Sequence, residues 1–167
     1  MLYPIGLETR FNILLVEDSE AEAKLFETAL KEAAPRIRMY WVATAQEAID
    51  YLHQENRFAG IGAAHLVLCD LNMPGISGFD FLKKVKGQSD TSIKSTPVII
   101  YSASSNPGDV QLSYALGANA YLLKPMTMET TVQQLKSLVH FWFESAKPPS
   151  YDIWDLSTNR PVTLHQE

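Results

Sequence analysis

The sequence is poor in cysteine and has no long apolar run. Its single cysteine, Cys69, excludes an intramolecular disulfide framework and a cysteine-rich zinc site. No segment approaches the roughly 18 consecutive apolar residues that a membrane-spanning helix requires. Residues 1–10 lack the basic start and apolar stretch of a signal peptide. We therefore expect a soluble, cytoplasmic protein without a membrane partner.

Basic residues are also in the minority. Fourteen Lys and Arg residues stand against nineteen Asp and Glu residues in 167, which gives a formal net charge of −5. A protein that binds nucleic acid by electrostatic attraction needs a basic face, so we expect no nucleic-acid partner. Hydrophobic residues make up 46% of the chain, enough to bury the core of one domain.

The sequence does contain a regular alternation of short apolar runs and amphipathic stretches. Five such pairs predict parallel strands with helices on both faces, which is a doubly wound α/β fold of the flavodoxin-like (βα)₅ kind. Ser19 and Glu22 predict a capping box at the start of the first helix. Residues 87–96 are polar, and we expect a loop there. The predicted strands are 11–16, 37–42, 65–69, 97–101 and 120–123.

These elements divide the chain into three parts. Residues 1–10 form an N-terminal extension, residues 11–146 a single domain, and residues 147–167 a C-terminal tail. The tail is too short to be an output domain. Two alternatives remain for it, because it follows a proline pair yet carries several apolar residues: disorder, or docking on its own or a neighbouring subunit.

Chemically active side chains follow four of the predicted strands. Glu17 and Asp18 follow the first strand, Asp70 the third, Ser102 the fourth and Lys124 the fifth. Ligands of an open parallel sheet bind beyond the carboxyl ends of its strands, so these side chains are expected to converge. Clustered carboxylates repel one another without a cation, and Mg²⁺ prefers such oxygen ligands. A metal ion, an ammonium and a hydroxyl around Asp70 suit a phosphoryl group, with Asp70 as the nucleophile.

Each acid alone has a simpler interpretation. Glu17 and Asp18 could stabilise the first turn of a helix, where carboxylates favour the helix dipole, and Asp70 could be a turn former. The combination with Ser102 and Lys124 favours a site, since charged groups gathered at strand ends are typical of one. The four histidines have no metal-ligand spacing, and we expect all of them at the solvated surface.

Four motifs, in order, resemble the receiver domain of two-component response regulators. They lie at 13–18, 68–78, 99–103 and 117–125, within a resemblance that covers about residues 11–143. The resemblance implies a signalling protein rather than an enzyme, although it would assist its own phosphorylation and dephosphorylation. It also implies a histidine kinase or phosphotransfer protein as donor and a downstream protein as target.

The resemblance implies roles for individual residues. Asp70 would accept the phosphoryl group, and Lys124 would pair first with Asp70 and then with a phosphoryl oxygen. Glu17, Asp18 and Asp70 would bind Mg²⁺ together with the backbone carbonyl of Asn72.

Two further positions match the switch residues of the family. The Ser102 hydroxyl would turn toward the phosphoryl group, and the Tyr121 ring would then swing inward. This movement would change the surface formed by the fourth helix, the fifth strand and the fifth helix of the predicted fold. The bond between Lys124 and Pro125 is expected to be cis, as is usual in the family.

A finer resemblance is to the stand-alone subgroup of cyanobacterial phytochrome response regulators. It is carried by Ser-Ser-Asn-Pro at 104–107 and by the aromatic stretch at 141–143. It implies a phytochrome-type kinase and a homodimer formed through the last helix and strand. Phe141 lies off the apolar face of that helix and is the candidate dimer contact, although a single exposed aromatic residue is also ordinary.

Two other functions remain open at this point. An aspartyl-phosphate-type phosphatase would place its nucleophile after the first strand with a second Asp two residues later, whereas Asn72 stands two residues after Asp70. A receiver-like interaction module that is never phosphorylated usually lacks one of the acids or the lysine. All of them are present here, which favours a working receiver.

Overall fold

The computed structural model describes residues 7–147, 149, 152–155 and 160–162. Five strands form a parallel sheet, and three shorter strands near the chain ends form a second, antiparallel sheet. The elements in chain order are β1 (Leu7–Arg10), β2 (Asn12–Val16), α1 (Glu20–Ala33), β3 (Arg38–Val42), α2 (Ala45–Leu52), a 3₁₀ turn (Asn56–Phe58), β4 (Leu66–Cys69), α3 (Gly78–Lys86), α4 (Thr91–Ser95), β5 (Val98–Ser102), α5 (Pro107–Ala115), β6 (Ala120–Leu123), α6 (Met128–Val139), a π-helical turn (His140–Ser145), β7 (Asp152–Asp155) and β8 (Arg160–Val162).

The parallel sheet confirms the doubly wound α/β fold. Its strand order is β3-β2-β4-β5-β6, and every ladder in it is parallel. All residues of β2, β4 and β5 are buried, as expected for strands covered by helices on both faces. The strand order reverses between β2 and β4, so the carboxyl ends of these two strands flank the crevice where such folds bind ligands.

The core consists of two apolar layers, one on each face of the parallel sheet. On one face, Phe26 of α1 and Leu135 of α6 pack against the sheet. On the other face, Tyr51 of α2 and Phe81 of α3 do the same. Fully burying one large apolar side chain contributes about 1.5–3 kcal/mol, so these layers hold the strand ends in fixed relative positions.

The prediction of a loop over residues 87–96 is wrong at its centre. Asp90 caps a short helix, α4, by accepting a hydrogen bond from the Ser92 N–H at 2.8 Å, and Ile93 is buried. One apolar residue among polar neighbours carries too weak a periodicity to indicate a helix. The cap and the buried contact therefore define α4.

The expectation that every histidine is exposed is also wrong. His65 is 1% exposed. Its Nδ1 accepts a hydrogen bond from the Asn12 N–H at 3.0 Å, and its ring meets the edge of the Phe11 ring. A buried polar side chain is tolerated when it is hydrogen-bonded, so this histidine belongs to the core.

The described parts of the two chain ends pair with each other. β7 runs antiparallel to β1, with Arg10 opposite Asp152 and Leu7 opposite Asp155, and β8 pairs with β7. Of the two alternatives for the tail, this pairing favours docking on its own chain. None of the described helices has the length and apolar character needed to cross a membrane.

Candidate functional site

The carboxyl ends of β2, β4 and β6 bring four charged side chains together. One oxygen from each of Glu17, Asp18 and Asp70 lies within 4.8 Å of the others. Glu17 and Asp70 are buried, whereas Asp18 is exposed. Lys124 follows β6, and its side chain is 14% exposed. The arrangement is therefore three acids and one lysine at the reversal of strand order.

Lys124 is shared among three carboxylates. Its Nζ lies 2.6 Å from Glu17 Oε2 and 3.4 Å from Asp70 Oδ2, and it also pairs with Glu22. Burial lowers the pKa of Lys124, but the hydrogen bonds to Glu17 and Glu22 and the charge of Asp70 outweigh burial, so its pKa lies above the ordinary value. Lys124 is therefore an ammonium at neutral pH.

Glu17 is the most constrained of the acids. Its Oε1 accepts a hydrogen bond from the Ser19 N–H at 3.1 Å, while its Oε2 faces Lys124. Burial raises the pKa of Glu17 above its ordinary value, although the hydrogen bonds from Lys124 and Ser19 act against this shift. The folded chain thus holds a carboxylate that an added cation would stabilise.

Sequence reasoning missed the role of Glu22. The Ser19 side chain accepts a hydrogen bond from the Glu22 N–H at 3.3 Å, which is one half of the predicted capping box. The other half does not form, because the Glu22 carboxylate turns to Lys124 and the Ser19 N–H donates to Glu17 instead. The capping pattern explained Glu22 locally, so nothing in the sequence directed attention to a lysine 102 residues away.

Asp70 lies in a rigid backbone environment just after β4. Its N–H donates to the Val16 carbonyl at 3.0 Å, and its Oδ1 accepts from the Leu71 N–H at 2.8 Å. Gly78, the first residue of α3, packs directly against it. A Cβ at position 78 would lie 2.3 Å from the Asp70 carbonyl oxygen, so only glycine fits there.

We expect Gly78→Ala to destabilise the fold by about 2 kcal/mol or more, because the atoms that must move are backbone atoms of Asp70 and Leu71. Urea denaturation measures this loss. Gly108→Ala in α5 is the control, since its Cβ meets only a side-chain oxygen of Asn106 at 3.1 Å. Equal free energies of unfolding for the two variants would show that Gly78 does not support Asp70.

The two switch candidates are linked through Ser104. Ser102 is fully buried at the end of β5, and its Oγ accepts a hydrogen bond from the Ser104 N–H at 3.2 Å. The Tyr121 hydroxyl donates to the Ser104 carbonyl at 2.8 Å. The Ser104 hydroxyl in turn donates to Asp109 of α5 at 2.6 Å. A movement of the loop between β5 and α5, which contains Ser104, would therefore affect β5, β6 and α5 together.

Two other candidates lie at the surface. Asn72 is exposed in the loop that follows Asp70. Phe141 belongs to the π-helical turn after α6, outside the acidic cluster, and is 56% exposed with its ring edge-on to Trp142.

The expectation of a cis bond before Pro125 is wrong. The described residues contain no cis peptide bond, so the bond that follows Lys124 is trans. Trans is the lower-energy form of such a bond by about 0.5–1 kcal/mol.

The residues present fit a divalent metal ion. One oxygen of each of the three carboxylates lies within 4.8 Å of the other two, which is close enough for all three to approach one ion. No described residue donates a hydrogen bond to the carboxylate of Asp18, which leaves its oxygens open to a ligand. Mg²⁺ is commonly held by one or two carboxylates, with water and phosphate oxygens completing its shell. Glu17, Asp18 and Asp70 provide such a set.

Comparisons with known proteins match the chain to one family. The family model described as the response regulator receiver domain matches residues 13–136. Response regulator Rcp1 of Synechocystis sp. is 30% identical over 138 residues, which cover 83% of this chain and 92% of Rcp1. The crystal structure of the phosphorylated cyanobacterial phytochrome response regulator RcpA matches with a TM-score of 0.76 and 34% identity, over 84% of this chain and 99% of RcpA. The Mn²⁺-bound form of Rcp1 matches with a TM-score of 0.73 and 30% identity, over 84% and 99%.

Proposed function

This chain belongs to the response regulator receiver domain family, and from that membership we propose that it is a stand-alone response regulator of a phosphorelay. Asp70 accepts the phosphoryl group, and the donor is a histidine kinase or a phosphotransfer protein. The observation that carries the proposal is the position of Asp70, buried beside the Lys124 ammonium and two other acids at the reversal of strand order.

The proposed reaction forms one bond and breaks one. A carboxylate oxygen of Asp70 attacks the phosphorus atom, and the bond between phosphorus and the donor nitrogen breaks. The bonding electron pair goes to the donor imidazole, and Asp70 becomes an acyl phosphate. With acetyl phosphate as donor, the bond that breaks is phosphorus to oxygen, and acetate leaves.

The residues around Asp70 would balance the negative charge of the phosphoryl group. Lys124 lies 3.4 Å from Asp70 Oδ2 and would bind an oxygen of the arriving phosphoryl group. Glu17, Asp18 and Asp70, with the backbone carbonyl of Asn72, would hold Mg²⁺. When bound, this ion would neutralise charge on the phosphoryl oxygens.

Phosphorylation is proposed to switch the surface formed by α5, β6 and α6. The support is the hydrogen-bonded connection from Ser102 through Ser104 to Tyr121 of β6 and Asp109 of α5. If the Ser102 hydroxyl turned toward the phosphoryl group, it would withdraw the acceptor of the Ser104 N–H. Tyr121 and α5 would then settle into a second arrangement, which is a two-state switch of the kind used in signalling.

The proposed setting is cytoplasmic, with a phytochrome-type histidine kinase upstream and a separate protein as target. The support is the similarity to RcpA, which is named as a phytochrome response regulator, and the match to almost the full length of both RcpA and Rcp1. The signal would leave through partner binding or through dimerisation.

We expect Phe141→Ala to weaken the proposed homodimer, because an aromatic residue that is 56% exposed on α6's extension is well placed to pack on a second copy. Sedimentation of the unphosphorylated and phosphorylated chain measures the change. Leu25→Ala is the control, since Leu25 is equally exposed but lies on α1. A dimer of the same strength in both variants would remove Phe141 from the interface.

Intact-mass measurement after incubation with acetyl phosphate and Mg²⁺ tests the proposed function. We expect the mass to increase by one phosphoryl group with Mg²⁺ and to stay constant with EDTA. Sustained turnover of small phosphate esters would instead indicate the aspartyl-phosphate-type phosphatase. If neither acetyl phosphate nor any kinase labelled the chain, the result would indicate the interaction module that is never phosphorylated.

A further inference from the structure

The second-to-last residue of β3, beside the acidic cluster, is an exposed tryptophan, Trp41, whose indole N–H donates a hydrogen bond to the backbone of Glu17. We propose that Trp41 is a positioning residue for the cation site. Its indole holds the Glu17–Asp18 turn in the conformation that binds metal. This inference rests on the proposed function, because it assumes that Glu17, Asp18 and Asp70 bind a divalent cation.

Both backbone groups of Glu17 are bonded to the end of β3. The Glu17 N–H donates to the Val42 carbonyl at 3.1 Å, which continues the ladder between β2 and β3. The Glu17 carbonyl accepts a hydrogen bond from the Trp41 indole N–H at 2.7 Å. Beyond Val42 the chain turns toward α2, whose N-cap is Thr44. The indole therefore supplies the donor where the ladder ends.

The bonded carbonyl belongs to the peptide that joins Glu17 to Asp18. Fixing that peptide fixes the direction in which the Asp18 side chain leaves the backbone. Asp18 is exposed and receives no hydrogen bond from any described residue, so the backbone is what limits the positions that its carboxylate can reach. Groups that orient a metal ligand without touching the metal commonly affect metal affinity by tenfold or more.

Trp41 is otherwise an unusual residue for its position. Its side chain is 37% exposed, so burial of the ring in the core is not enough to account for a tryptophan at this position. Its polar atom makes one hydrogen bond, and that bond goes to the acidic turn. The neighbouring β3 residue Val42, in contrast, is fully buried in the core. Val42 therefore holds Glu17 through its backbone carbonyl, whereas Trp41 holds it through its side chain, which a substitution can remove.

Isothermal titration of the full chain with Mn²⁺ and with Mg²⁺ tests the proposal. We expect Trp41→Phe to bind each ion about tenfold more weakly, which is the upper end of the loss that corresponds to one hydrogen bond. Trp142→Phe is the matched control, since it removes an indole in the π-helical turn after α6, outside the acidic cluster, and it should bind as the unmodified chain does. Thermal unfolding of each variant shows whether it folds.

A spectroscopic measurement follows the same residue directly. Metal addition should change the tryptophan emission of the unmodified chain and of Trp142→Phe, because the Trp41 ring is bonded to the acidic turn. The change should be lost in Trp41→Phe. In the Trp142→Phe, Trp154→Phe variant Trp41 is the only tryptophan, and the absence of an emission response in that variant would contradict the proposal.

A single-atom change separates the hydrogen bond from the ring. In a Trp142→Phe, Trp154→Phe background, Trp41 is replaced by benzothienylalanine, in which sulfur takes the place of the N–H. We expect the same loss of metal affinity as in Trp41→Phe. If affinity is retained, or if Trp41→Phe binds as tightly as the unmodified chain, the inference about Trp41 is overturned and the proposed function stands. If the unmodified chain binds neither ion, both are overturned.

Discussion

Replacing Asp70 with Asn is expected to abolish the mass increase that acetyl phosphate and Mg²⁺ produce. An amide oxygen is a poor nucleophile and carries no charge, so it cannot form the acyl phosphate. The same change removes one of the three clustered carboxylates and should also weaken metal binding. Intact-mass spectrometry measures the labelled fraction, which we expect to fall below detection.

The fold should survive this change, which makes the result interpretable. Asn has the size of Asp and retains an oxygen that can accept the hydrogen bond from the Leu71 N–H. Asp50→Asn in α2 is the matched control, because it removes a carboxylate outside the cluster, and it should be labelled normally. Full labelling of Asp70→Asn would place the phosphoryl group on another residue.

Replacing Lys124 with Met is expected to slow labelling by acetyl phosphate about 100-fold or more, the usual effect of removing one charge-stabilising donor. It should also lower the free energy of unfolding by about 3 kcal/mol near neutral pH. The reason is that the Glu17 and Lys124 side chains are only 4% and 14% exposed, so the variant leaves a buried carboxylate without its ammonium. Urea denaturation and the time course of labelling measure the two effects.

The loss of stability in Lys124→Met should depend on pH and on metal. Burial already raises the pKa of Glu17 in the folded chain above its ordinary value of 4.5, and removing Lys124 raises it further. Protonated Glu17 therefore favours the folded state below pH 4.5, and this stability is lost as the pH rises through the raised pKa. Mg²⁺ should restore part of the stability at neutral pH, because it binds only the folded chain.

Lys31→Met on α1 is the control for both measurements. Lys31 forms an exposed ion pair with Glu27, and such pairs contribute little to stability. We expect its free energy of unfolding to change by less than about 0.5 kcal/mol and its labelling rate to stay the same. An equal loss in the two variants would mean that Lys124 has no special place in the site.

The parts of the fold that could be predicted from the sequence are those with continuous apolar runs. β2, β4 and β5 are buried on both faces, so their composition alone indicates strands in a covered sheet. α4 could not be predicted, because it depends on one cap and on the burial of Ile93. The burial of His65 depends on the Asn12 N–H and the Phe11 ring, which are distant in sequence.

The candidate site shows the same division. Residues that directly follow strands, such as Asp70 and Lys124, could be placed together because parallel strands end at one edge of a sheet. Glu22 and Trp41 could not, since each reaches the site through a side chain whose partner is fixed only by tertiary packing. In the sequence, Glu22 fits a helix-capping pattern and Trp41 fits the preference of aromatic residues for strands. Neither residue therefore stood out as a candidate for the site.

The most direct test of the account is to locate the phosphoryl group on the chain. After incubation with acetyl phosphate and Mg²⁺, borohydride reduces an aspartyl phosphate to homoserine, and fragmentation spectra of the digested protein identify the reduced position. We expect homoserine at position 70 and at no other acidic residue. Homoserine at Asp18 or any other aspartate, the five-carbon alcohol 5-hydroxynorvaline at Glu17 or any other glutamate, or neither alcohol in a chain that has gained the mass of a phosphoryl group, would contradict the account.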